Sequence, residues 1–112
     1  MKKTKQSVII FIPVAQLSAI WQGEFDRLPA NQTFDLILDY PFGGDREHHF
    51  PIKTGKKGMG LIALLGKIGK AYEKIYEDPE ESGVFGHDID DLQLEGITVN
   101  YKTKKITLGI GS

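Results

Sequence analysis

Apolar and polar residues alternate at strand spacing in several short stretches of this chain and recur at helical spacing in two others. Ser7 to Ile12 is β-branched and apolar on both faces, which predicts a buried strand closed by Pro13. Val14, Leu17, Ile20 and Trp21 then recur at intervals of three and four, one face of a short amphipathic helix ending near Gly23. From Thr33 to Tyr40 the residues Phe34, Leu36, Leu38 and Tyr40 share one face, while Asp35, Ile37 and Asp39 take the other, so a strand with one mostly polar side is expected. A turn follows at Pro41–Asp45. His49 to Thr54 reads as the returning strand of a hairpin, at a sheet edge because Pro51 has no N–H to give a neighbour.

The second half carries the longest helix and two further strands. Ile62, Leu65, Ile68, Gly69, Tyr72, Ile75 and Tyr76 fall on one stripe and predict the longest helix, from about Met59 to Glu77, ended by Asp78-Pro79. Gly66 and Gly69 cost about 1 kcal/mol each relative to alanine in a helix, which suggests close approach of a sheet or another chain. Glu80 to Asp90 reads as a loop with one helical turn beginning at Asp88. Asp91 to Tyr101 is a strand whose parity switches between Leu94 and Ile97, so an extra residue at Glu95-Gly96, a β-bulge, restores a common apolar face. After the polar turn Lys102–Lys104, Ile106, Leu108 and Ile110 form the last strand. The order strand, helix, strand, strand, helix, strand, strand predicts an α+β fold. Its form is a single-layer, mainly antiparallel sheet with two helices on one face, in ferredoxin-like split βαβ order plus a C-terminal hairpin.

With 112 residues, 40% of them hydrophobic, the chain suits one domain with a modest core, which excludes a disordered tail and a multidomain enzyme. A formal charge of −1 gives no general attraction to nucleic acid or anionic membrane, and no apolar run reaches membrane-span length. Zero cysteines exclude disulfides, thiolate catalysis and cysteine-based zinc sites, and a soluble cytoplasmic protein is expected. The charge is uneven: Glu77 to Glu95 holds eight acids and no Lys or Arg. This is either a solvated acidic loop or a face for a basic protein partner or a second copy of the chain.

Three groups of residues are candidates for function. In Gly86-His87-Asp88-Ile89-Asp90-Asp91, an imidazole beside carboxylates suits a general base or a divalent cation, with His48 and His49 as further nitrogen ligands. No known metal spacing is matched, and Asp88 and Asp91 equally suit a capping box. Thr54–Gly60 combines glycines with Lys56 and Lys57 ahead of a helix and suits either a phosphate or a flexible connection; neither Gly-rich nucleotide motif is present. Trp21, with Phe25, Tyr72 and Tyr76, is either core or an oligomer interface, and Phe85, between Gly83 and Gly86, either plugs the core edge or docks a partner. No nucleophile arrangement stands out, and no motif calls for a cofactor or a resident metal.

The stretch Gly83 to Ile97, together with Leu108 to Ser112 and the opening Ile12-Pro13, resembles small uncharacterised bacterial proteins of the kind carried on integron gene cassettes. The resemblance implies a compact α+β protein that often self-associates, and it brings no catalytic residues. The expected function is therefore a non-catalytic binding protein, forming a homo-oligomer or meeting a basic partner through Phe85, Asp88, Asp90, Asp91 and Trp21. An immunity protein that masks a basic toxin is one form of it. The alternative is a small-ligand or metal-dependent enzyme using His87, Asp88 and Asp91.

Overall fold

In a computed structural model the described residues are 5–14, 26–42, 46–84 and 88–111, with the backbone alone for 8–13. They form an α+β fold around one mixed sheet of five strands. These are β1 (Lys5–Pro13), β2 (Thr33–Leu38), β3 (His48–Lys53), β4 (Gln93–Asn100) and β5 (Lys105–Gly111), and the sheet order is β1-β4-β5-β2-β3. All five expected strands are present. β2 alternates as its sequence does, with Phe34, Leu36 and Leu38 buried and Asp35 and Ile37 on the other face. β3 lies at an edge, where the missing N–H of Pro51 costs no ladder hydrogen bond.

The sheet is not purely antiparallel. The short turn over Tyr101–Lys104 forces β5 to run back along β4, and the other side of β5 takes β2, which runs in the same direction. Asp35, Leu36 and Ile37 are thus paired in parallel with Lys105, Ile106 and Thr107. The ferredoxin-like order is not confirmed: that arrangement keeps its first strand inside the sheet, whereas β1 lies at an edge.

The bulge is present. Leu94 faces Ile110 and Gly96 faces Gly109, so Glu95 is the extra residue of β4 against β5. Its effect is to bring Leu94, Ile97 and Val99, which are out of phase in sequence, onto one fully buried face. Over that face lies helix α1 (Leu61–Tyr76), burying Leu64, Leu65, Ile68, Ala71, Tyr72 and Ile75. The buried stripe is rotated from the one expected. Ile62 is 63% exposed, because Leu61, Leu64 and Ala71 turn the helix towards their own side. A Cβ at Gly66 would meet nothing within 4 Å, so this glycine mediates no close approach among the described residues.

The expected first helix, with Trp21 and Phe25, lies outside the described residues apart from Val14, which is buried. The second helix seen is instead a single turn, α2 (Pro79–Ser82), where a loop was expected. Its signals are local. The Asp78 carboxylate accepts the N–H of Glu81 at 3.2 Å, Pro79 opens the turn, and Gly83 at φ 84° closes it. No helix among the described residues is long and apolar enough to cross a membrane.

Candidate functional site

Strand direction sorts the charges of this molecule. Because β1 and β4 are antiparallel, Lys5 pairs with Asn100 at one end of the sheet and Pro13 with Gln93 at the other. The Lys5 end also holds Lys105, the first residue of β5, Lys53, the last of β3, and the loop carrying Lys56 and Lys57, whose Gly55 carbonyl accepts the Asn31 N–H. The opposite end holds Asp39 after β2, Glu47 before β3, and Asp88, Asp90 and Asp91 just before β4. α1 delivers its C-terminus to this second end, where the Tyr72 hydroxyl donates to the Tyr40 carbonyl at 2.9 Å. One end of the sheet is therefore rich in lysine and the other in carboxylate.

At the carboxylate end the predicted acidic residues take up ordinary structural duties while staying accessible. Asp88 caps a 3-10 turn over Ile89–Asp91, and its N–H donates to the Asp91 carboxylate at 3.3 Å, the capping-box arrangement that the spacing suggested. Asp88, Asp90 and Asp91 are all exposed. Asp88 and Asp91 lie close enough to Tyr76 to act on its phenol. Partial burial first, then these two carboxylates, push that group up to about 12. His87, Phe85 and Trp21 lie outside the described residues. Among the described residues no cluster of three or more His, Asp or Glu side chains is arranged to hold a metal ion.

His48 and His49 do not converge on anything together. Neighbours in a strand point to opposite faces. On the helix-covered side, His48 donates from Nε2 to the Ser82 carbonyl at 2.7 Å and packs edge-on against Phe42, with centroids 4.6 Å apart. His49 lies on the open face between two carboxylates, with Nδ1 2.8 Å from Asp35 and Nε2 2.7 Å from Glu47. Two N–H donors are needed to satisfy both carboxylates, so the imidazolium is favoured and the pKa is raised, chiefly by the hydrogen bond to Asp35 and next by that to Glu47. With both nitrogens committed, this ring has no lone pair to offer a metal or a proton. Its chemistry is that of a clamp between β2 and β3. Reading the sequence for metal ligands missed this. The signal was parity, since Asp35 and His49 each occupy the polar face of paired strands.

Beside the clamp, a shallow open groove of about 320 Å³ is lined by Thr33, Phe34, Asp35, Pro51, Thr103 and Lys105, among others. The Lys104 ammonium sits 5.2 Å from the centroid of the Phe34 ring and hydrogen-bonds Gln32. The Thr54–Gly60 segment is a structured connection. The buried Thr54 hydroxyl donates to the Pro29 carbonyl at 2.6 Å and accepts the Gln32 N–H at 3.0 Å, and Met59 bridges to Leu28. Phe42 and Tyr72 are core residues.

No family model matches the chain, and neither a curated protein nor a solved structure matches it significantly.

Proposed function

We propose that the chain is a non-catalytic, cytoplasmic binding protein whose carboxylate end docks against a basic protein surface. The observation that carries the reading is the segregation of charge along the strands: Asp88, Asp90 and Asp91 stand exposed at one end, with the lysines of β3 and β5 at the other. Like-signed exposed groups gathered on one surface attract and orient an oppositely charged partner more than they tighten the final complex. The resemblance of the C-terminal third to small bacterial integron-cassette proteins agrees with a compact binder, and an immunity protein that covers a basic toxin is one form of it. The enzyme alternative draws less support, because the Asp91 carboxylate is engaged by the Asp88 amide in a capping role.

The test is titration calorimetry at low salt with poly-lysine as the basic probe. It compares the native chain with a triple variant, Asp88→Asn, Asp90→Asn, Asp91→Asn, and with a control at the lysine end, Asp26→Asn, whose backbone N–H donates to Gln6. At least a tenfold loss of affinity in the triple variant, with little change in the control, supports the reading. Equal affinity in all three proteins sinks it.

A further inference from the structure

The sheet ends in two strands, β1 and β3, and among the described residues each pairs with one neighbour only. The two edges are unlike. β3 has Pro51 within it, exposed His49 on its open face and Lys53 at its end, features that discourage addition of another strand. β1 is longer, at nine residues, and its Ser7–Ile12 interior is uncharged, without proline and mostly β-branched. A register shift between Ile9 and Ile12 adds twist there but places neither a charge nor a proline in the strand. Such a strand offers its outer row of N–H and C=O groups to a further strand.

We propose that β1 is where a second copy of this chain joins, strand against strand and antiparallel, to make a continuous ten-stranded sheet about a two-fold axis. This rests on the preceding reading of the carboxylate end and names the basic surface it meets: the lysine end of a second copy. The charges select the direction. Antiparallel pairing reverses the second molecule, so the Lys5 end of one copy lies beside the Pro13 end of the other. Near the Lys5 end lies the turn with Lys102, whose N–H donates to the Asn100 side chain. Near the Pro13 end lie Asp90 and Asp91, since Leu92, the residue after Asp91, accepts the N–H of Val14 at 2.9 Å. The two-fold axis makes this match twice. Parallel pairing would set like charges side by side.

The chain has no cysteine, so a single introduced thiol carries a spin label without background. Ser7→Cys labels an exposed position in β1 and Lys53→Cys an exposed position in β3. With strands about 4.8 Å apart and residues about 3.4 Å apart, full overlap of the two β1 strands puts the Ser7 labels on the order of 15 Å apart and the Lys53 labels on the order of 40 Å or more. Sedimentation velocity at low and high salt, with dipolar spectroscopy on the same samples, should give a dimer that weakens with salt, a short Ser7 distance and a long Lys53 distance. A monomer at every concentration overturns the proposal, as do a short Lys53 distance and a dimer indifferent to salt. A monomer that still binds poly-lysine through Asp88, Asp90 and Asp91 overturns the β1 pairing and leaves the binding reading standing.

Discussion

The hydroxyl of Tyr72, in the last turns of α1, donates to the carbonyl of Tyr40, just past the end of β2, at 2.9 Å. This bond ties the helix to the sheet at the carboxylate end, inside a core where the Tyr72 ring is fully buried. Tyr72→Phe keeps the ring and removes the bond. It should lower unfolding free energy by about 1 kcal/mol, whereas Tyr72→Ala should cost about 3–5 kcal/mol through the cavity it leaves. Urea titration of both variants checks this. Burial, with Asp39 adding to it, also holds the Tyr72 phenol far above the ordinary tyrosine range, so its ionisation in ultraviolet titration should appear only as the protein unfolds in alkali.

His49 makes stability depend on pH in a known direction. Its folded pKa is raised above the ordinary histidine value of about 6.5, so its contribution is complete below that value and is lost as pH rises through the folded pKa. The side chain is 46% exposed, so the effect is small and weakens with added salt. Denaturation curves from slightly acidic to alkaline pH should show this decline in the native chain and a flatter profile in His49→Gln. A proton resonance of His49 that titrates below 6.5 would contradict the clamp.

Two glycines of the β3–α1 connection separate backbone strain from crowding. Gly55 has φ 74° and open space where a Cβ would be, while at Gly58, φ 75°, a Cβ would stand 2.1 Å from the Leu28 carbonyl oxygen. Gly55→Ala should therefore cost about 1–2 kcal/mol for the left-handed conformation alone. Gly58→Ala should cost distinctly more, because the bridge between Leu28 and Met59 must also shift. Thermal unfolding of the pair gives the comparison.

The bulge offers a test by deletion. Removing Glu95 leaves Leu94 and Ile97 two positions apart, on one side of a regular β4, so the buried face survives without the bulge and the cost falls on the register against β1. The deletion variant should still unfold cooperatively by circular dichroism, at somewhat lower stability; loss of the cooperative transition would contradict the assignment of Glu95 as the extra residue. Glu95→Ala, which keeps the backbone count, should fold normally.

Much of this was legible in the chain because it is local. The alternation Phe34-Leu36-Leu38 predicts a half-buried strand, the phase change between Leu94 and Ile97 predicts a bulge, and Pro51 predicts an edge. What was not legible depends on partners distant in sequence. Nothing near Lys105–Gly111 says that β5 takes β2 as its second neighbour, because that pairing joins Asp35 to Lys105. The α1 stripe was misplaced at Ile62 for a related reason: several helical faces were apolar enough, and the sheet chose among them. At the candidate site, the capping pair Asp88 and Asp91 was readable from its spacing, while the His49 clamp required knowing that β2 and β3 set Ile37 opposite His49.

The central place of β5 bears on how the chain is made. β5 joins two groups of strands, β1 with β4 and β2 with β3, yet it is the last of the five to be synthesised. While it is still inside the ribosome, the β2–β3 hairpin has no strand to lie against, and β1 waits for β4. At about 5–20 residues per second, the stretch from β2 to β5 takes several seconds or longer to emerge. For that interval the hairpin and the apolar stretch Val8–Ile12 are without their final neighbours, so the sheet closes only after β5 has emerged. A nascent chain arrested within the Tyr101–Lys104 turn should remain open to protease throughout the part that lies outside the ribosome.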